Sequence, residues 1–154
     1  MANTNAIATS FKVEVLSGIH ALSTSVVRAG TTPDSFKGAL YLVSATTGAS
    51  NTVYTVTGEV SGTGYTAGGV DLTGAQDWVA PSSTSTTAFT TPTASIVYTT
   101  VTLTTAFDAV MIYNSTQGNK AVGVFTFGST TITAGTLTLT MPTNDATTGL
   151  IRIA

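Results

Sequence analysis

The chain has no cysteine and few charged residues. It contains 154 residues, of which five are Lys or Arg, seven are Asp or Glu and one is His. Charged residues make up 8%, against about 25% in ordinary soluble domains. Without cysteine there is no disulfide and no thiolate nucleophile or ligand. The basic residues are scattered, so the sequence lacks the concentrated positive charge of a nucleic-acid-binding protein.

Long apolar runs are also absent. No run approaches the ~20 apolar residues that a membrane helix needs. The first ten residues have neither the basic region nor the apolar region of a signal peptide. We therefore expect no membrane segment, no signal peptide and synthesis in the cytoplasm.

Threonine and serine take the place of the missing charge. Threonine is β-branched and half polar, so it suits both faces of a pleated strand and disfavours helices. This composition predicts an all-β fold. A chain with so few surface charges is also better explained if neighbouring subunits cover much of its surface, which favours an oligomer or a lattice.

Turn signals every eight to twelve residues separate short strand-like segments. They predict roughly nine short strands in an antiparallel β-sandwich or jelly-roll-like barrel with long small-residue loops. Residues 109–113 are apolar on both faces, which is typical of a central strand. Residues 130–142 alternate around Gly135 and end at Pro142. Ten segments are candidates for these strands: 11–16, 36–43, 51–57, 70–73, 76–80, 95–104, 107–113, 120–127, 130–142 and 150–153.

The small polar segments define the expected organisation. Residues 1–10 are predicted to be a flexible N-terminal arm, and residues 11–154 a single β domain. Residues 81–93 are rich in Ser, Thr and Pro, and neither flanking part is long enough to be a comfortable separate domain. They are therefore predicted to form an exposed loop or arm within the domain.

The segment 57–73 carries the densest glycine in the chain. Glycines here predict turns and close backbone contacts at positive φ, with Tyr65 as the one large side chain able to anchor the segment. Gly62, Gly64 and Ala67 match the spacing of a dinucleotide-binding fingerprint. The glycines that follow cannot form the helix on which that motif depends, so no cofactor is predicted.

The sequence nominates no catalytic set and no metal site. His20 is the only histidine, and Glu14 is the only acid near it in sequence, so a hydrogen-bonded structural role is favoured. The acids are scattered singly, which favours turn and cap roles over paired catalysis. We expect the protein not to be an enzyme.

Five segments resemble small virion structural proteins of tailed double-stranded DNA bacteriophages. The glycine-rich segment 58–69 is the most specific of them. The resemblance covers nearly the whole chain and implies a non-enzymatic virion component assembled in the host cytoplasm. The segments are 11–16, 34–41, 58–69, 111–115 and 149–154.

The resemblance leaves the position in the particle open. A capsid decoration (cement) protein would sit as trimers on the major capsid protein, whereas a collar, head-to-tail adaptor or tail-fibre protein would contact neck or tail proteins. The decoration hypothesis predicts that residues 1–9 or 81–93 reach a neighbouring copy. It also predicts that five aromatic residues divide between the core and oligomer contacts: Phe11, Tyr41, Tyr65, Trp78 and Phe89. A carbohydrate-binding module with Trp78 or Tyr65 as its platform is the alternative from another class.

Overall fold

The computed structural model describes residues 2–16, 19–20, 22, 34–72, 78–84 and 86–154. These residues contain one helix, α1 (Thr9–Leu16), and eight strands. The strands are β1 (Ala6–Ile7), β2 (Phe36–Leu42), β3 (Val70–Asp71), β4 (Ser82–Thr84), β5 (Thr87–Thr90), β6 (Ile96–Asn114), β7 (Lys120–Leu139) and β8 (Ile151–Ile153).

The strands form two antiparallel sheets. The larger sheet has the order β1-β7-β6-β2-β3, and the smaller has the order β4-β5-β8. Neither sheet closes on itself among the described strands. The predicted all-β class is confirmed, because the described residues form mostly antiparallel β-structure with one helix. The last residues of β6 are buried on both faces between β2 and β7, as the apolar run 109–113 predicts.

One long hairpin dominates the larger sheet. β6 has 19 residues and β7 has 20, where the sequence analysis predicted four shorter strands. The small residues that were predicted to end strands instead lie within β6 and β7, where the pairing is irregular. Its register shifts between Tyr98 and Val101 and between Leu103 and Phe107. Thr100 and Ala134 have positive φ on facing strands, close to the pair Val101–Gly135. Bulges of this kind bend a strand without ending it.

Residues 11–16 form part of α1, so the strand predicted there is wrong. Phe11 and Val15 are four residues apart and lie on one helix face, with Phe11 buried and Lys12 exposed. Tertiary packing of Phe11 outweighs the local β-propensity. No helix in the described ranges is long and apolar enough to cross a bilayer.

Residues 51–57 do not form the predicted strand. Among the described residues, they form one isolated bridge, between Val53 and Lys120, and Val53 and Val56 are exposed. The amide of Tyr54 donates to the carbonyl of Asn119 across the end of the long hairpin. In the hairpin loop, Gly118 and Asn119 have positive φ, as predicted. Residues 73–77 of the predicted strands 70–73 and 76–80 lie outside the described residues.

The two segments expected to be exposed are held by specific contacts in the single chain. Asn3 donates from Nδ2 to Leu42 O at 3.0 Å and to Asp108 Oδ1 at 2.5 Å, and β1 pairs with β7. Asn3, Ala6 and Ile7 therefore contact the larger sheet, and the flexible arm over residues 1–10 stays a prediction. Within 81–93, the residues of β4 are exposed, but the end of β5 and Thr91 are buried. The assignment of 11–154 as one domain stays a prediction.

Candidate interaction surface

Most of the predicted interface aromatics lie in the core. Phe11, Tyr41, Trp78 and Phe89 are 1%, 0%, 4% and 8% exposed, and Tyr65 is half-buried. Phe11 packs from α1, Tyr41 from β2 and Phe89 from β5, while Trp78 meets Phe36 edge to face at 5.7 Å. The first four side chains are thus not on the surface of the single chain. Trp78, one of the two candidate glycan platforms, is among these buried side chains.

Tyr65 anchors the glycine-rich segment through Glu59, as the sequence predicted for this tyrosine. Its hydroxyl donates to Glu59 Oε1 at 2.6 Å and accepts from the amide of Leu40 at 3.0 Å. The same carboxylate accepts from the amide of Gly68 at 2.7 Å and from the Tyr54 hydroxyl at 2.5 Å. Glu59 therefore ties three parts of the segment together and to β2. No pattern in the sequence indicates this role of Glu59.

The other tyrosines surround the same carboxylate. Tyr113 stacks on Tyr54 with ring centroids 4.7 Å apart and donates to Gly68 O at 2.8 Å, and Tyr98 donates to Gly38 O at 2.7 Å. Burial raises the pKa of Tyr113 to about 12, and burial also raises the pKa of Tyr98. These hydroxyls remain protonated donors at neutral pH. Through these two hydroxyls, β6 is linked to Gly38 of β2 and to Gly68 of the glycine-rich segment.

The glycine-rich segment covers one edge of the β6–β7 hairpin. Thr63 forms an isolated bridge with Thr102 of β6, whose amide donates to Thr63 O at 2.9 Å. A Cβ on Gly62 would overlap the carbonyl oxygen of Thr102, and a Cβ on Gly64 would overlap that of Thr100. Only glycine allows the two backbones to approach so closely. The outer side of β6 is thereby protected.

His20 belongs to a buried polar cluster that fixes its protonation. Asn114 Oδ1 accepts from the amides of Thr116 and Gln117, both at 3.1 Å, so its Nδ2 is the donor side. Nδ2 lies 3.1 Å from His20 Nδ1, which must therefore accept. The ring proton then sits on Nε2 and is donated to Glu14 Oε2 at 2.8 Å. A neutral imidazole satisfies both partners.

The charges around His20 are paired within the fold. Burial lowers the pKa of His20, although the hydrogen bond to Glu14 opposes this. Burial raises the pKa of Glu14, but hydrogen bonds and charges from Lys120 and His20 outweigh it, so the net direction is down. Lys120 Nζ lies 2.7 Å from Glu14 Oε1. Within the described ranges no group of three or more His, Cys, Asp or Glu residues could hold a metal.

The described residues leave the outer side of β7 largely uncovered, unlike the outer side of β6. β1 pairs with β7 only at Val124 and Gly123, and no other described strand pairs with the outer side of residues 126–139. We call residues 126–139 the β7 edge. Its threonines are mostly exposed, whereas Phe127, Ile132 and Leu137 are half-buried on the other face. No charged residue occurs between Lys120 and Asp145.

A second surface feature is a cleft between α1 and β8. It has a volume of about 350 Å³ and an apolar wall that includes Phe11, Val15 and Ile153. Lys12 and Arg152 also line it. The cleft carries two basic side chains and the β7 edge carries none. Raising the salt concentration should therefore weaken charged contacts through the cleft and leave pairing through the β7 edge unchanged.

Comparison of the chain with protein-family models, with curated proteins and with solved structures finds no match in any of the three.

Proposed function

We propose that the chain is a non-enzymatic structural protein of a tailed bacteriophage virion, acting as a capsid decoration protein that stabilises the head shell. The observation that carries this proposal is the β7 edge, which is long, exposed and without charge. Soluble proteins protect such edges with charges, prolines or covering segments. An unprotected edge suits a protein whose work is burial against copies of itself and against a shell.

The proposed mechanism is the summation of weak contacts. One decoration subunit would bind copies of itself and the major capsid protein over modest areas. Repetition over a lattice converts weak individual contacts into a strong total, because each further contact forms at a high effective concentration. Subunits that bridge neighbouring capsid proteins would then slow the separation of those proteins on heating.

The titratable groups support a structural role. Glu59 binds two tyrosines and a backbone amide, and Glu14 binds His20 and Lys120. A catalytic base or nucleophile needs a face turned toward a substrate. Here the only histidine has both ring nitrogens engaged by side chains of the fold.

The test is binding to undecorated phage heads. Purified protein is mixed with heads that lack decoration, and the heads are separated by sedimentation and then heated. We expect the protein to sediment with the heads and to raise the temperature at which they release DNA. Heads that already carry their own decoration protein are the control and should bind little. Absence of both binding and thermal protection would overturn the proposal.

The number of subunits separates the positions within a particle. A trimer agrees with decoration at local three-fold sites, and a ring of six or twelve agrees with a collar or adaptor. Native mass spectrometry on the purified protein gives this number directly. A protein that remains monomeric and does not bind heads contradicts a role based on burial.

We also propose that the two sheets pack face to face as a β-sandwich. Ile151 of β8 belongs to the same buried core as Phe36 of β2 and Trp78, which joins the smaller sheet to the larger one. Aligned packing of two antiparallel sheets over a shared core is the sandwich arrangement. Nuclear Overhauser contacts from Ile151 to inward side chains of β2 and β6 are expected. Contacts confined to the rims of the sheets would contradict it.

A further inference from the structure

We propose that the β7 edge pairs antiparallel with the β7 edge of a second copy, so that the two larger sheets continue across a two-fold axis. This inference deepens the proposed function and rests on its self-association. The partner is a second copy of this chain, and the contact is isologous because each copy contributes the same residues. The backbone groups of the strand supply the hydrogen bonds, as in β-strand addition.

The backbone of the edge is available for pairing. In the part of the chain that the structure describes, the main-chain bonds of residues 126–139 to other strands go to β6 alone. Among the described residues, the N–H and C=O groups that alternate along the outer side of this strand have no main-chain partner in another element. At about 3.3 Å per residue the edge is about 46 Å long. A second strand can pair with the regular stretches of this edge, between the register shifts, without displacing a described element.

The other sheet edges are protected in ways that this one is not. β1 and β3 have two residues each, and β4 and β8 have three. β3 carries an ion pair between Asp71 and Lys37 at 3.4 Å, and β8 carries Arg152. Short length and charge are the usual means of preventing edge-to-edge association. The β7 edge is long and uncharged, and the register shifts along it are the one protective feature that it shows among the described residues.

The side chains favour a copy of the same strand as the occupant. Antiparallel pairing places each residue opposite a residue of the same segment, and a segment without charge brings no like charges together. One face of the edge is rich in exposed threonine, and the other carries the half-buried Phe127, Ile132 and Leu137. A second copy about a two-fold axis continues both rows, so threonine meets threonine and apolar groups meet apolar groups.

The area predicts a weak and reversible dimer. An edge about 46 Å long across a sheet about 10 Å thick covers on the order of 460 Å² per copy. Both copies together then bury about 900 Å², just below the ~1,000 Å² expected of a specific interface. We therefore expect dimers at micromolar or higher concentration, and firmer pairing where other contacts hold the copies together. This contact joins two copies, so it links neighbouring subunits on the shell and does not by itself form the trimer implied by the resemblance.

The test adds glutamates near the middle of the edge. Thr131→Glu/Thr133→Glu brings four carboxylates close to the two-fold axis of the dimer, where they repel one another. The matched control, Ser82→Glu/Thr84→Glu, adds the same charge to β4, an exposed edge of the smaller sheet. Circular dichroism and thermal unfolding check that both variants fold. Sedimentation equilibrium over a range of concentrations then measures association.

We expect the wild type and the β4 control to dimerise and the edge variant to stay monomeric, with at least a tenfold weaker association. Hydrogen exchange gives a second readout that needs no variant. Amides of residues 126–139 in the wild type should exchange more slowly in concentrated than in dilute solution. A folded edge variant that associates like the wild type, or exchange rates independent of concentration, would overturn the inference.

These outcomes are separable from those for the proposed function. If the wild type binds heads and the edge variant binds equally well, with no dimer in solution, the pairing is wrong and the decoration role stands. If the wild type dimerises through the edge and does not bind undecorated heads, the pairing stands and the decoration role is wrong.

Discussion

At the scale of single residues, Glu59 is the side chain on which the glycine-rich segment most depends. Glu59→Ala removes the acceptor of three hydrogen bonds and leaves two tyrosine hydroxyls and one amide without their partner. We expect the free energy of unfolding to fall by about 3 kcal/mol. Urea unfolding followed by the fluorescence of Trp78, the only tryptophan, measures this.

Asp71→Ala is the control for loss of an acid. Its pairing with Lys37 is solvent-exposed, so we expect a change below about 0.5 kcal/mol. Tyr54→Phe removes only one of the three bonds to Glu59 and should cost about 1 to 2 kcal/mol. A Glu59→Ala variant no less stable than Asp71→Ala would contradict the anchoring role.

His20 makes the stability of the fold depend on pH. Burial lowers its pKa below the ordinary value of 6.5, so the unfolded chain binds a proton that the folded chain resists. Stability is then complete above the unfolded pKa and is lost as the pH falls below it. We expect wild-type stability to decrease from pH about 7.5 to about 5.5. Urea unfolding at these two values measures the decrease.

His20→Gln is the matched variant for the pH experiment. Glutamine retains a donor and an acceptor but does not titrate, so its stability should change less over the same range. The lowered pKa of Glu14 adds a further loss in both proteins only as the pH approaches and passes below 4.5. Equal pH dependence in the two proteins above that range would show that His20 is not the responsible group.

At the scale of elements, three glycines separate backbone strain from close packing. Gly64 has φ +78° and no room for a Cβ, Gly118 has φ +68° in open space, and Gly128 has open space and no positive φ. Alanine at position 64 should lower the free energy of unfolding by about 3 kcal/mol or more, because strain adds to overlap with β6. Alanine at position 118 should lower the free energy of unfolding by about 1 kcal/mol, because only the backbone strain remains there.

Alanine at Gly128 completes the series. It should be neutral or stabilising by about 0.5 kcal/mol, since glycine weakens a strand interior. The three variants are compared by urea unfolding at low protein concentration, where association is negligible. Similar losses of stability for alanine at positions 64 and 118 would mean that the glycine-rich segment does not pack closely against β6.

The elements that the sequence predicted correctly are those with strong local signals. The apolar run in β6, the strand at β2 and the positive φ at Gly118 and Asn119 each follow from local side-chain chemistry. The helix at 9–16 and the continuity of β6 and β7 do not follow from local side-chain chemistry. Both depend on tertiary packing and on bulges, which place residues far apart in sequence against one another.

The interaction surface shows the same limit. The alternation in 130–142 is readable from the sequence, and so is the absence of charge there. That this strand lies at an edge is not, because it depends on β1 ending after two residues. The burial of four of the five aromatic candidates in the single chain was not predictable for a related reason. Large aromatics such as Phe11 and Phe89 serve cores and interfaces equally well, and only the strand order decides between them.

At the scale of the whole molecule, the response of self-association to salt tests which surface is used. The β7 edge carries no charge, so its pairing should be unaffected by raising NaCl from about 0.05 to about 0.5 M. Ammonium sulfate should strengthen it, because excluded salts favour burial. Sedimentation equilibrium in each salt measures the dissociation constant.

For the Thr131→Glu/Thr133→Glu variant we expect a different response of self-association to NaCl in the same experiment. Its dimer is opposed by repulsion between like carboxylates, which NaCl screens, so its weak association should strengthen with salt. A wild-type association that weakens with salt would point instead to contacts through Lys12 and Arg152 at the cleft between α1 and β8. The sign of the salt effect thus assigns the contact to an uncharged edge or to a basic cleft.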